Sequence, residues 1–264
     1  MADGSRNGIS RAMSIALGVV LPAAAVVLPW LPQWMMPFVT TAVAKGLVVL
    51  GLMLMWRAGL VSFGQALYFA VGGYTVGLLG VYAGVTDILV TVALGGVAAG
   101  LVAALTGILL ARYRDIFFAM LSLAMSMILY GILVKTETLG STDGFHVEAG
   151  TLFGYRPEGP ALTLTLYWLV LAFSAVAAFL VALYFRTIAG ALAVPVRDNE
   201  IRVEYLGISV NRLIHIKLVI SGVLAGVGGA LAAFAVQHVD PNMAYWTTSG
   251  GFVFVTVLAG TASV

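Results

Sequence analysis

The chain has 264 residues, of which 61% are hydrophobic and 9% charged, with a formal net charge of +2. A water-soluble domain carries about 25% charged residues, so a soluble fold of this length would have too little polar surface to cover itself. No basic tract of the kind nucleic acid needs is present, and the absence of cysteine excludes disulfides and thiol chemistry.

Apolar residues run on without alternation, which predicts helices and excludes a transmembrane β-barrel. Runs of about 20 residues match the length needed to cross a hydrocarbon core of ~30 Å. Eight spans are expected, over roughly 12–29, 36–56, 64–84, 88–111, 115–135, 161–185, 213–236 and 246–264. The first follows Arg6 and Arg11 and is read as a retained helix. Ala23-Ala24-Ala25 leaves a cleaved signal peptide as the alternative. Lys45 lies in the second span, close enough to its outer end for the long stem to snorkel.

"VSFGQAL", Val61–Leu67, opens the third span. A Ser-Phe-Gly-Gln sequence at membrane depth breaks a helix, and such backbone is tolerated only when buried in protein or lining a cavity. Ser62, Gly64, Gln65 and Gly72 are therefore candidates to line a translocation path, against the plainer reading of a turn between spans. The spacings Gly73/Gly77, Gly96/Gly100 and Gly222/Gly226, with Gly228 and Gly229, allow close helix approach and are read as packing. The 137–160 loop collects Glu137, Asp143, Glu148 and Glu158 against Arg156 alone.

The next loop is different. "RDNEIRVEYLGISVNR", Arg197–Arg212, gathers six charged residues between two long apolar runs. Pro195 is expected to break whatever precedes it. Asp198 or Asn199 can cap a helix of two turns over Asn199–Leu206. Gly207 sits where a left-handed residue ends a helix, with Ile208 as the apolar residue after it. Ser209 or Asn211 can cap the following span. Ile201, Tyr205 and Ile208 share one face, and Val203 and Leu206 form a second apolar patch. A helix this short needs something to pack against.

Placing the N-terminus in the cytoplasm and alternating sides puts Arg6, Arg11, Arg57, Arg112, Arg114, Arg186, Arg197, Arg202, Arg212 and Lys217 at cytoplasmic ends. Only Lys135 and Arg156 fall outside, which satisfies the positive-inside bias. The final run, "GGFVFVTVLAGTASV", has no polar flank, and further C-terminal helices are expected in the whole protein.

"RDNEIRVEYLGISVNRLIHIKLVISGVLAGVGGAL" resembles the cytoplasmic coupling region of the permease subunits of ABC importers, and most closely that of the branched-chain amino-acid family. Glu200 and Gly207 keep the acid-then-glycine frame with the spacing of that subfamily, although Arg202 and Val203 stand where the general motif has alanines. Gly59–Leu79 resembles the family's early membrane signature, Tyr113–Leu129 its middle helix, Gly140–Phe145 its outer loop, and Ser249–Thr261 the start of its C-terminal part. The likeness covers residues 40–264, in order.

The resemblance implies an all-α, polytopic permease in which residues 1–264 form a single transmembrane domain with a coupling helix within 197–212. It implies a bacterial inner-membrane protein with a cytoplasmic N-terminus. It also implies import of branched-chain amino acids or related small polar solutes, with urea or amides as the neighbouring alternative. ATP and magnesium would be held by partner subunits. The implied partners are two ATP-binding subunits, a sister permease in a heterodimer, an external solute-binding protein and membrane lipid, but no nucleic acid. Arg197, Asp198, Asn199, Glu200, Arg202, Glu204, Tyr205 and Gly207 would make the coupling contact, as a lever on the sixth and seventh spans. No cofactor is expected in the chain itself: it lacks G-x-x-x-x-G-K-[S/T]. His146, His215 and His238 are far apart in the sequence and show no ligand spacing, and no Ser/His/Asp set points to an enzyme. An ion-coupled transporter would need acids inside the membrane, whereas all the Asp and Glu fall in loops or near span ends.

Overall fold

The computed structural model describes residues 32–157 and 159–260. Six of its helices are long and apolar enough to cross a membrane. They are α1 (Met36–Trp56), α2 (Gln65–Ala83), α3 (Ile88–Leu110), α4 (Asp115–Lys135), α5 (Pro160–Arg186) and, after three short helices, α9 (Val210–Val236). They match the second to seventh predicted spans to within about three residues, inside the usual boundary error. The first predicted span lies outside the described residues.

Local chemistry sets several of the helix starts. Proline occupies the first turn of α1 and of α5, where its missing N–H costs nothing. The Asp87 carboxylate accepts from Leu89 N and Val90 N at the start of α3. Ser209, rather than Asn211, caps α9 by accepting from Arg212 N.

The loop between α5 and α9 folds into α6 (Ile188–Ala191), α7 (Ala193–Asp198) and α8 (Glu200–Tyr205). Pro195 does not break the chain as expected. It is the third residue of α7, in the first turn, where backbone N–H groups have no helical partner to lose. The interruption falls at Leu192 instead.

α9 is the centre of the bundle and packs along α1, α2 and α3. Small residues set these distances. A Cβ at Gly72 would overlap the Gly226 carbonyl, and one at Gly229 would overlap that of Phe69. Gly222 meets Ala103, and Gly226 meets Ala99, while Gly96 and Gly100 receive Val227 and Val223. The Gly96/Gly100 and Gly222/Gly226 spacings are thus helix contacts, as the packing reading expects, whereas Gly73 and Gly77 face Met243 and Phe145.

Among the described residues, the loops that carry Arg57, Arg114 and Arg197 meet at one end. Arg57 lies over the Phe185 ring, 4.2 Å from its centroid. Gly59 abuts Arg197, and Arg114 reaches Glu200. The other end carries the acidic loop. There β1 (Phe145–His146) pairs antiparallel with β2 (His238–Val239), and Phe153 N donates to Asp87.

The last predicted span is described from Trp246 to Gly260. After β2 the chain runs through a 3-10 turn, Pro241–Ala244, into α10 (Trp246–Gly260). Ala244 O accepts from Ser126 Oγ, eleven residues into α4 and about 16 Å from its basic end. The turn therefore dips half-way through the bundle, and α10 starts from there.

Candidate functional site

Two polar assemblies stand out, one at the basic end and one inside the bundle. At the basic end, Asn199 Oδ1 accepts from Arg202 N and caps α8. Gly207 takes φ +80° and turns the chain toward α9 with open space around it. Both roles match the expectation for this loop. Val203 is the side chain that roots α8, at 2% exposure. Ile201, Tyr205 and Leu206 face outward at 63%, 86% and 73%. The expected pairing of Val203 with Leu206 in one patch is therefore split, and Leu206 joins Ile201 and Tyr205 on the exposed side.

Glu200 ties α8 to the rest of the protein. Arg114 Nε donates to Glu200 Oε1 at 2.6 Å. The same guanidinium donates to Asn211 Oδ1 at 2.7 Å and to the carbonyls of Ala111 and Tyr113. One arginine thus clamps the α3–α4 turn, α8 and the start of α9 together. Sequence reasoning had counted Arg114 only as a topology charge and Asn211 as a rival cap. Arg197 packs its stem against Gly59, linking this assembly to the α1–α2 loop. Asp198, Arg202 and Glu204 are exposed. Burial lowers the Arg57 guanidinium below its ordinary value without a carboxylate to oppose the shift.

The second assembly surrounds the start of α2. Ser62 and Gln65 are fully buried. Gly64 N donates to Ser62 Oγ, Phe63 N to Ser122 Oγ of α4 at 3.0 Å, and Ala66 N to Ser249 Oγ of α10 at 3.0 Å. Gln65 Nε2 donates to Ser221 Oγ of α9 at 2.9 Å. Ser122 lies seven residues into α4, about 10 Å from the basic end. The break is thus buried in protein, and serines from other helices satisfy the backbone groups that the missing helical turn leaves free.

Gly64 packs on the Ser122 backbone and Gly72 on Gly226. Two cavities of about 250 and 150 Å³ open near the opposite end. The larger lies between α1, α5 and α9 and is lined by Thr40, Leu166 and Phe234 among others. Neither is lined by Ser62, Gly64, Gln65 or Gly72.

Lys217 was read as a loop-end charge, but α9 begins at Val210, so this lysine is seven residues inside the helix and 0% exposed. Its Nζ has no hydrogen-bond partner among the described residues, and neither has Gln65 Oε1. Lys45, by contrast, lies on the exposed side of α1. His146 and His238, distant in sequence, are cross-strand partners in the β1–β2 ladder. No group of three or more potential metal ligands forms among the described residues.

Comparison with known proteins agrees with this architecture. The family model described as "Branched-chain amino acid transport system / permease component" matches residues 35–264. Two relatives, from Escherichia coli (strain K12) and Salmonella typhimurium (strain LT2), are each described as "High-affinity branched-chain amino acid transport system permease protein LivM". Each is 26% identical over 240 residues, covering 82% of this chain and 55% of its own length. The chain thus spans about half the length of the curated relatives it matches. No solved structure matches. The described residues form a bundle with six helices long and apolar enough to cross a membrane, and the chain belongs to the branched-chain amino-acid permease family.

Proposed function

We propose that this chain is the permease subunit of an ATP-driven importer that carries branched-chain amino acids, or closely related small polar solutes, across a bacterial inner membrane. The positive-inside bias supports a basic end that faces the cytoplasm, with the N-terminus proposed on the same side. ATP is bound and hydrolysed, with magnesium, by two separate subunits. A sister permease completes the pathway as a heterodimer, and a solute-binding protein delivers cargo to the acidic end.

The observation that carries this reading is α8. It is held from behind by Val203, its Asn199 cap and the Arg114–Glu200 pair, and it shows Ile201, Tyr205 and Leu206 to solvent at the charged end of a membrane protein. A short helix with an outward apolar face and a rigid root suits a groove in a partner. Push on it, and the clamp carries the movement into α9 and the α3–α4 turn together. Rigid-body rocking of such helices opens the path alternately to each side. The lever then acts on α3 and α4 as well as on the two helices that flank the loop.

The test is ATP-driven uptake into proteoliposomes by the full chain assembled with its neighbouring ATPase, sister-permease and binding-protein subunits. Accumulation of leucine, isoleucine or valine that requires ATP is expected. Uptake of urea or short amides alone would replace the solute, and uptake driven by a proton or sodium gradient without ATP would overturn the mechanism.

A further inference from the structure

Lys217 is a buried cation inside α9, and nothing in the coupling or packing accounts given above uses it. Leaving a charge buried without a partner costs several kcal/mol as an order of magnitude, so an anionic group that entered beside Lys217 would be held strongly. The acids among the described residues do not supply one. Among the described residues, Glu137, Asp143, Glu148 and Asp240 belong to the opposite end, and Asp87 caps α3 there. At the basic end Glu200 is bound to Arg114, and Asp198 and Glu204 are exposed. Asp115 opens α4, also exposed.

The neighbouring turn carries a second unsatisfied group of opposite chemistry. Ser221 lies four residues after Lys217 and hence on the same face of α9. It accepts from Gln65 Nε2, and this leaves Gln65 Oε1 buried with no donor. An ammonium donor with no acceptor, on α9, and a carbonyl acceptor with no donor, on the α2 side chain bonded to the next turn of α9, are thus both 0% exposed beside the break that opens α2.

We infer that Lys217, with Gln65 and Ser221, forms an inner-half way station for the head group of a zwitterionic α-amino acid, Lys217 taking the carboxylate and Gln65 Oε1 the ammonium. The inference rests on the proposed function and names the solute chemistry for one point on its path. The solute enters only when the helices around the α2 break part. In the closed state the two groups wait unpaired, so the station is filled only during transit.

The experiment uses the assembled importer in proteoliposomes with L-leucine as the probe. It compares wild type with Lys217→Met, Lys217→Arg and Asp3→Asn, following uptake and ATP hydrolysis together. Lys217→Met keeps the length of the stem and removes the charge. It is expected to lower leucine uptake at least tenfold while ATP hydrolysis changes less than twofold, and Lys217→Arg should retain at least a third of uptake. Normal uptake by Lys217→Met would overturn the inference. So would an equal loss of uptake and hydrolysis in Lys217→Met, which marks a packing role. A matching loss in Asp3→Asn would overturn it as well, by assigning Lys217 an internal partner. If wild type takes up leucine and Lys217→Met is unaffected, only the way station fails. If wild type takes up only a solute without a carboxylate, or none, the way station and the solute assignment fail together.

Discussion

Breaking the Arg114–Glu200 pair gives the sharpest test of the clamp. The bond is short, 2.6 Å, and charge-assisted, with side chains 23% and 36% exposed. A hydrogen bond to a charged group contributes about 1.5–3 kcal/mol when sheltered, and an exposed ion pair about 0.2–1 kcal/mol. A half-sheltered pair falls between them, at about 1–2 kcal/mol. That is a factor of about 5–30 in an equilibrium. Glu200→Gln should therefore raise the opening of α8 by that factor, read as faster amide hydrogen exchange at Val203 and Glu204 in the assembled importer. Arg114→Gln should do at least as much, because it also removes the donor to Asn211 and to two carbonyls. The double variant should be no worse than Arg114→Gln alone, since both remove the same interaction. In each variant, solute imported per ATP hydrolysed should fall. Strictly additive effects, or unchanged exchange at α8, would refute the clamp.

Other outcomes follow from single positions. A Cβ at Gly207 meets no atom within 4 Å, so the main cost of Gly207→Val is that of forcing φ +80° on a β-branched residue. This is about 1–2 kcal/mol, and it should reduce coupled uptake with little loss of membrane insertion, measured as uptake against folded yield. Asn199→Ala removes the α8 cap and should cost about 1 kcal/mol, seen as faster exchange confined to α8. Gly72→Val drives a side chain into the Gly226 carbonyl and should abolish folded protein in a detergent-solubilised size-exclusion assay. A monodisperse Gly72→Val protein would contradict the α2–α9 contact.

What could be read from the sequence divides by range. The Asn199 cap, the Gly207 turn and the boundaries of α1 to α5 are local features, set by hydropathy, prolines and capping groups within a few residues. The α8 root was not legible, because Glu200 and Arg114 are 86 positions apart. The depth at which α10 starts was hidden for the same reason. Its apolar run looks like a full span, and only the bond from Ser126 to Ala244 shows that it starts at mid-depth. Lys217 was misplaced by a boundary. Starting the seventh span at 213 puts it at a loop end, whereas α9 begins at Val210 and the side chain is fully buried. His146 and His238 meet only through a long-range strand pairing. The serines that satisfy the α2 break come from three different helices, α4, α9 and α10, and no spacing in the chain announces them.

Cross-linking from α8 to the ATPase tests the central claim most directly. The chain has no native cysteine, so Ile201→Cys or Tyr205→Cys introduces a single reactive thiol on the outward face. In the assembled importer a short thiol-to-amine cross-linker should join either position to an ATP-binding subunit, with Lys45→Cys on the exposed side of α1 as the silent control. An ATPase subunit that is present in the complex but never captured from 201 or 205 would contradict the account.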